Sequence, residues 1–338
     1  MKILEAEASR KPQTRSMEYC KRIFPTANGS LPGYAPYTAI WYVDSTNGAD
    51  TLQGDSPASA FKTLTTAVAR ATAFGRPHQC IILEPGTYNS SETFPIVIGA
   101  DLDYLTIMSR ADVSGIARHT VIGATNAGGT SGLIYCWADG LKLLNLTFLS
   151  NNPCVFVGTE TTHPTSTNTV VTGCELNGCV FDIGTTASKT ALNLSCTAAL
   201  VDGCELVAGS ATATICIAAY DPFTIKNSTL YSANVGIQTA SGGKVVVQNC
   251  EFMVYNAVAA PASYYIDAAS GASYVVVRGC RFGPDSAGDG TETVAASATC
   301  TDNVDIVDNV YVTAIADPSA GAGDKTCTTT ALTKVKSY

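Results

Sequence analysis

Charge is scarce in this sequence. Only 14% of its 338 residues are Asp, Glu, Lys or Arg, while 46% are apolar. That balance excludes an intrinsically disordered chain, which needs high charge and few apolar residues. Yet no apolar run approaches the ~20 residues of a membrane span. Met1 to Lys11 contains no apolar core of a secretory signal, so export by that route is not expected. Cys-x-x-Cys pairs are absent, and His78, His119 and His163 stand far apart. Neither a metal cluster nor a catalytic triad is spelled out, and no metal or cofactor is expected. There is no basic stripe for nucleic acid. Helical periodicity is confined to one stretch.

What is present is a repeat. Val245-Val-Val-Gln-Asn-Cys-Glu-Phe252 recurs along the chain, anchored on Asn145, Gly173, Gly203, Asn227, Asn249, Gly279 and Asn309. Two residues before each anchor stands a branched aliphatic: Leu143, Val171, Val201, Ile225, Val247, Val277 and Val307. One residue after stand Leu146, Cys174, Cys204, Ser228, Cys250, Cys280 and Val310. Three after stand Phe148, Leu176, Leu206, Leu230, Phe252, Phe282 and Val312. A strand alternates its faces with period two. Here the inward parity slips once, at the anchor, as a left-handed corner would make it; Gly and Asn tolerate that conformation best. The anchors lie 28, 30, 24, 22, 30 and 30 residues apart, within the range of a solenoid repeat.

The thirteen cysteines are an odd number, and four of them (Cys174, Cys204, Cys250, Cys280) fall in one inward column. They read as small apolar filler of a stack assembled in a reducing cytoplasm. The five Asn-x-Ser/Thr sequons, at Asn28, Asn89, Asn145, Asn193 and Asn227, read as chance matches.

The chain divides into three parts. Residues 1–38 lack periodicity and read as an extended arm. Lys2, Arg10, Lys11, Arg15, Lys21 and Arg22 face three acids there, a net of +3, which leaves −11 of the total −8 on the remainder. A basic arm on an acidic body suits docking onto an acidic surface. Residues 39–312 form the body. It opens with a strand over Ile40–Ser45, a turn over Thr46–Asp50 and a helix over Ala58–Phe74. Phe61, Leu64, Val68 and Ala71 make one face of that helix, and Gly75 and Pro77 end it. Residues 313–338 are poor core material and read as a tail or oligomer contact.

The succession of strand, Gly-Asp loop, Phe-Lys-Thr helix, Glu84-Pro-Gly-Thr-Tyr88 turn and cornered repeats resembles the pectin-lyase-like superfamily over roughly residues 40–312. The resemblance implies an all-β fold, a right-handed parallel β-helix whose first coil is capped by the helix. The physical need for a cap is plain, since an open β end exposes unpaired backbone. Enzymes of that superfamily act on acidic polysaccharides with clustered carboxylates and a basic residue. The corresponding motifs are missing here. The best remaining constellation is Glu175, Glu205 and Glu251 in one outward column with Asp202, Lys226, Arg278 and Arg281 nearby, but a solvated outer face accounts for it better, and no catalytic residue is assigned.

The sequence therefore points to a non-enzymatic structural protein of a virus particle, made in the host cytoplasm and carried on a phage capsid or tail as decoration, fibre or spike. The arm would anchor it to another protein of the same virion, and the resemblance implies a homotrimer. A polysaccharide-degrading β-helix such as a phage depolymerase, or a β-helix that binds host surface glycan, is the alternative. No nucleic-acid or membrane partner is expected.

Overall fold

A computed structural model describes residues 37–110, 120–123, 132–150, 153–158, 171–184, 189–209, 215–219, 221–232, 235–239, 244–254, 264–268, 274–284, 304–307 and 309–311. These residues wind into a parallel β-helix of three ladders. The leading ladder stacks ten strands, from Ala39–Val43 and Gln79–Leu83 through Thr106–Ser109, Leu141–Leu144 and Val171–Asn177 to Val304–Val307. The trailing ladder stacks nine, from Gly86–Tyr88 to Val310–Tyr311. The return ladder runs from Ile96–Ile98 to Tyr264–Ala268. The long strand Thr190–Asp202 belongs to the return ladder by its first half and to the leading ladder by its second. Among the described residues no helix is long and apolar enough to cross a membrane.

The inward columns are buried as the repeat predicts except in one coil, where Leu176 takes the leading place assigned to Val171 and Phe181 the trailing place assigned to Leu176. Leu143, Leu176, Val201, Ile225, Val247 and Val277 fill the leading side, and Phe148, Phe181, Leu206, Leu230, Phe252 and Phe282 the trailing side. Identical residues stack directly: Phe148 on Phe181 at 5.2 Å between ring centres, and Phe252 on Phe282 at 4.9 Å. Parallel strands about 4.8 Å apart impose this in-register contact.

Two anchors stand elsewhere than the repeat suggests. Asn145, Gly203, Asn227, Asn249 and Gly279 form one left-handed column between leading and trailing ladders, with φ from 51° to 63°. In the coil between Asn145 and Gly203, that place is taken by Gly178 (φ 62°). Leu176 pairs with Leu143 on one side and Val201 on the other, which fixes the register. Gly173 (φ 68°) is a corner of a second column, where the return ladder meets the leading one, together with His78, Tyr104, Gly140 and Ala198. Val171-Thr-Gly-Cys-Glu-Leu176 and Leu176-Asn-Gly-Cys-Val-Phe181 fit one template, so the pattern cannot separate the two corners; strand pairing does. Asn309 is displaced as well. Arg278 pairs with Val307 and Arg281 with Val310, so Asn309 stands opposite Cys280 and not opposite the corner residue Gly279.

The residue after each corner therefore reads Leu146, Cys179, Cys204, Ser228, Cys250 and Cys280, with Cys179 in place of Cys174. These thiols do more than fill space. Cys179, Cys204, Cys250 and Cys280 each donate to the carbonyl two residues back, at 3.2–3.5 Å, as the Ser228 hydroxyl does at 2.8 Å. The backbone N–H at this position is met by the side chain of the next coil. Ser228 Oγ accepts from Cys204, Cys280 Sγ from Cys250, and Asn309 Oδ1 from Cys280. A corner interrupts the ladder, and a small side chain that both donates and accepts repairs it. All ten described cysteines are buried and unbridged.

The helix spans Leu64–Phe74, shorter than the periodicity suggests. Pro57–Ser59 is a separate 3-10 turn, and Phe61 bridges Val43 in extended conformation. Leu64, Ala67, Val68 and Ala71 are buried against the first strands. Leading strand Ala39–Val43 precedes any strand of the other two ladders, so the helix occupies the end of the stack that they leave open. Thr63 caps it, the Glu92 carboxylate accepts from the N–H groups of Leu64 and Thr65, and Gly75 ends it in the left-handed conformation. The arm is described only at Tyr37 and Thr38. Thr38 donates to the carbonyls of His78 and Pro77, and the half-buried Tyr37 hydroxyl meets Cys80 and Thr106 on the outer face. Lys2, Arg10, Lys11, Arg15, Lys21, Arg22 and residues 313–338 lie outside the described residues.

Candidate functional site

The outward columns beside the first corner carry the residues that sequence reasoning singled out. The fold separates them. Glu175 lies on the leading ladder, in register with Lys142 and Leu200. Glu205 and Glu251 lie on the trailing ladder, in one column with Val180, Thr229 and Arg281. The three glutamates therefore do not share a column. Glu205 and Glu251 are two coil steps apart, about 10 Å of backbone.

Most of these acids are matched by a cation one coil away. Lys142 Nζ reaches Glu175 at 2.7 Å, and Lys226 Nζ reaches Asp202 at 3.1 Å. Asn227 Nδ2 donates to the other Asp202 oxygen at 2.9 Å. Arg281 pairs with Glu251, and Arg110 with Glu84. Parallel in-register strands put the opposite charges side by side, so the pairs are a product of the stacking. They are partly exposed and contribute little to stability.

An open depression of about 350 Å³ crosses three coils at this corner, lined by Asn227, Thr229, Asn249, Glu251, Gly279 and Arg281 among others. Its one acid is the Glu251 already paired with Arg281. Among the described residues no three His, Cys, Asp or Glu side chains converge as metal ligands. Burial pushes Cys80, Cys136 and Cys216 up to about 12, far from the thiolate range. His78 is a corner residue whose ring stacks on Tyr104 at 4.6 Å. His119 and His163 lie outside the described residues.

Sequence reasoning missed one cluster. Trp41, from the first strand, meets Phe74 of the helix edge to face at 5.8 Å, and Arg70 and Arg76 flank the pair. Arg70 follows Trp41 by nearly thirty residues, and only the return of the helix over the first strand joins them. The exposed Phe74 at the end of an otherwise amphipathic helix was the available signal.

Several solved structures are similar to this chain. A pectate lyase, Pel9A, is 13% identical, with 82% of this chain and 75% of that one covered at a TM-score of 0.58. Escherichia coli ybhc is 15% identical over 84% and 74%, TM-score 0.49. The pectin methylesterase PemA from Erwinia chrysanthemi is 15% identical over 78% and 71%, TM-score 0.44. At such identity the likeness to the pectate lyase shows the fold, the pectate-lyase-like parallel β-helix, and not an activity. No curated protein matches the chain. A family model does, over residues 46–310, and the chain belongs to that family, described as a protein of unknown function, DUF1565.

Proposed function

We propose that the chain is a non-enzymatic structural β-helix of a phage particle, decorating or projecting from capsid or tail as a homotrimer and anchored at its N-terminal end. The observation that carries the non-enzymatic part is the in-register neutralisation of the outward acids. Glu175, Asp202 and Glu251 each face a cation of a neighbouring coil. The basic segment up to Arg22 on an acidic body supports attachment to a larger assembly. The unbridged thiols suit assembly in a reducing cytoplasm before release.

A second reading is a polysaccharide-degrading or glycan-binding β-helix. It is favoured by the likeness to a pectate lyase and by the open depression at Thr229, Glu251 and Arg281. Incubation of the full chain with polygalacturonate and methylated pectin separates the two. New reducing ends, unsaturated products and released methanol are measured. No turnover is expected. Sustained turnover that disappears in Glu205→Gln or Glu251→Gln would make the protein an enzyme. Imaging of the native particle then reports stoichiometry, with three copies per site expected.

A further inference from the structure

Four cations along the ladders lie on acids, whereas two at the capped end lie on aromatic rings. Arg110, Lys142, Lys226 and Arg281 each reach a carboxylate of another coil. Arg70 and Arg76 lie over aromatic rings instead, 5.9 Å from the ring centre of Trp41 and 5.5 Å from that of Phe74. With the Trp41–Phe74 contact they form one continuous run, and the polar partner of Arg70 is the Gln53 side-chain oxygen at 3.4 Å. The acids close by in sequence are engaged elsewhere. Asp44 accepts from Thr46 and Asn47, Asp50 from Lys62 and Thr63, Asp55 from Ser59, and Glu92 from Leu64 and Thr65.

Apolar exposure is equally one-sided. Among the described residues the large apolar side chains left exposed are Leu52, Phe74, Val97 and Tyr104, at 39–47%. All four belong to the cap and the first two coils, and none lies among the described residues of the later coils. The chain also enters the described body at this end, where Thr38 bonds to Pro77 and His78 beside Arg76. Arginine stacked on an aromatic ring is already oriented, and Trp, Phe and Arg dominate interface energetics. Exposed apolar side chains rimmed by cations that have no carboxylate partner among the described residues fit an acidic surface that offers an apolar recess. A nucleic acid fits less well, because the remainder of the body carries strong negative charge.

We propose that the capped end is the docking face of this protein, and that it meets an acidic protein surface with a recess for Phe74. The inference rests on the reading of the chain as a particle component. Particles grown from the genome that encodes the chain, wild type or carrying Arg70→Glu with Arg76→Glu, provide the test. Copies per particle are counted by mass spectrometry, and hydroxyl-radical footprints compare the wild-type chain free and in the particle. Phe74 and Leu52 should lose about tenfold in reactivity on docking, while Tyr231 and Met253 on later coils stay unchanged. The charge-reversed chain should load about tenfold less, at the melting temperature of the wild type. Should the variant fail to fold, the wild-type footprint decides alone. A chain present in the particle with Phe74 still reactive, or a folded variant that loads normally, overturns the docking face and leaves the particle reading standing. Release of the chain by nuclease identifies a nucleic-acid partner and also overturns it. Absence of the wild-type chain from the particle overturns both.

Discussion

Ser228 shows what a single position after the corner must supply. Its hydroxyl accepts the Cys204 N–H at 3.1 Å and donates to the Lys226 carbonyl at 2.8 Å, in a site where water is excluded. Ser228→Ala leaves a buried N–H without a partner and should cost about 1–3 kcal/mol. Ser228→Cys should cost clearly less, because Cys280 already serves Cys250 in the same way. Urea unfolding under reductant compares the two; equal losses would reduce the thiol column to mere filler. Glycines separate a second pair of effects. A Cβ on Gly203 meets nothing closer than 4.0 Å, so Gly203→Ala carries only the left-handed backbone penalty, about 1 kcal/mol. A Cβ on Gly158 would sit 2.0 Å from the Ser195 carbonyl oxygen of the next coil. Gly158→Ala must push two coils apart and should cost about 3 kcal/mol or more. A smaller loss at Gly158 than at Gly203 would refute the close coil approach.

The capping helix depends on a residue far from it in sequence. Its first-turn N–H groups point at the Glu92 carboxylate, with contacts of 2.6 Å from Leu64 and 2.8 Å from Thr65, and the Thr65 hydroxyl adds a third bond at 2.6 Å. Glu92→Ala should destabilise the protein by about 1–2 kcal/mol, with Glu92→Gln intermediate, since the amide keeps one acceptor and loses the charge. Thermal melts of the two variants against wild type check the order; a silent Glu92→Ala would mean the helix end is served by solvent. This element also marks how far the sequence speaks. Leu64, Val68 and Ala71 announced a helix face, but Phe61 fitted the same spacing while pairing with Val43 in extended form. Period alone does not distinguish a helical residue from one held by a long-range bridge. The repeat columns were legible because each inward residue repeats the same burial in every coil. Gly173 was misplaced because both corner columns obey one backbone rule, and which strand pairs with which is not written locally. The cluster at Arg70, Trp41, Phe74 and Arg76 was invisible for the same reason.

On the scale of the whole stack, the buried thiols tie stability to pH. Burial holds Cys80, Cys136 and Cys216 protonated up to about 12, whereas an unfolded chain ionises them near 8.5. Above that lower value the unfolded state has fewer bound protons than the folded one, so stability falls as pH rises. The contribution is complete below about pH 8.5 and disappears progressively toward pH 12. Each thiol adds a slope of up to about 1.4 kcal/mol per pH unit, and three acting together add about 4. These residues sit on different coils, from the first full coil to the middle of the return ladder. A solenoid couples neighbours through their shared interface, so ionisation in one coil weakens the coils that flank it. Urea midpoints measured under reductant should therefore be flat from pH 7 to 8 and drop steeply from pH 9 to 10.5. Cys216→Ser removes one titrating group and should flatten that slope by about 1 kcal/mol per pH unit. An unchanged slope in this variant would place Cys216 in contact with solvent, and with it the inner face of the return ladder.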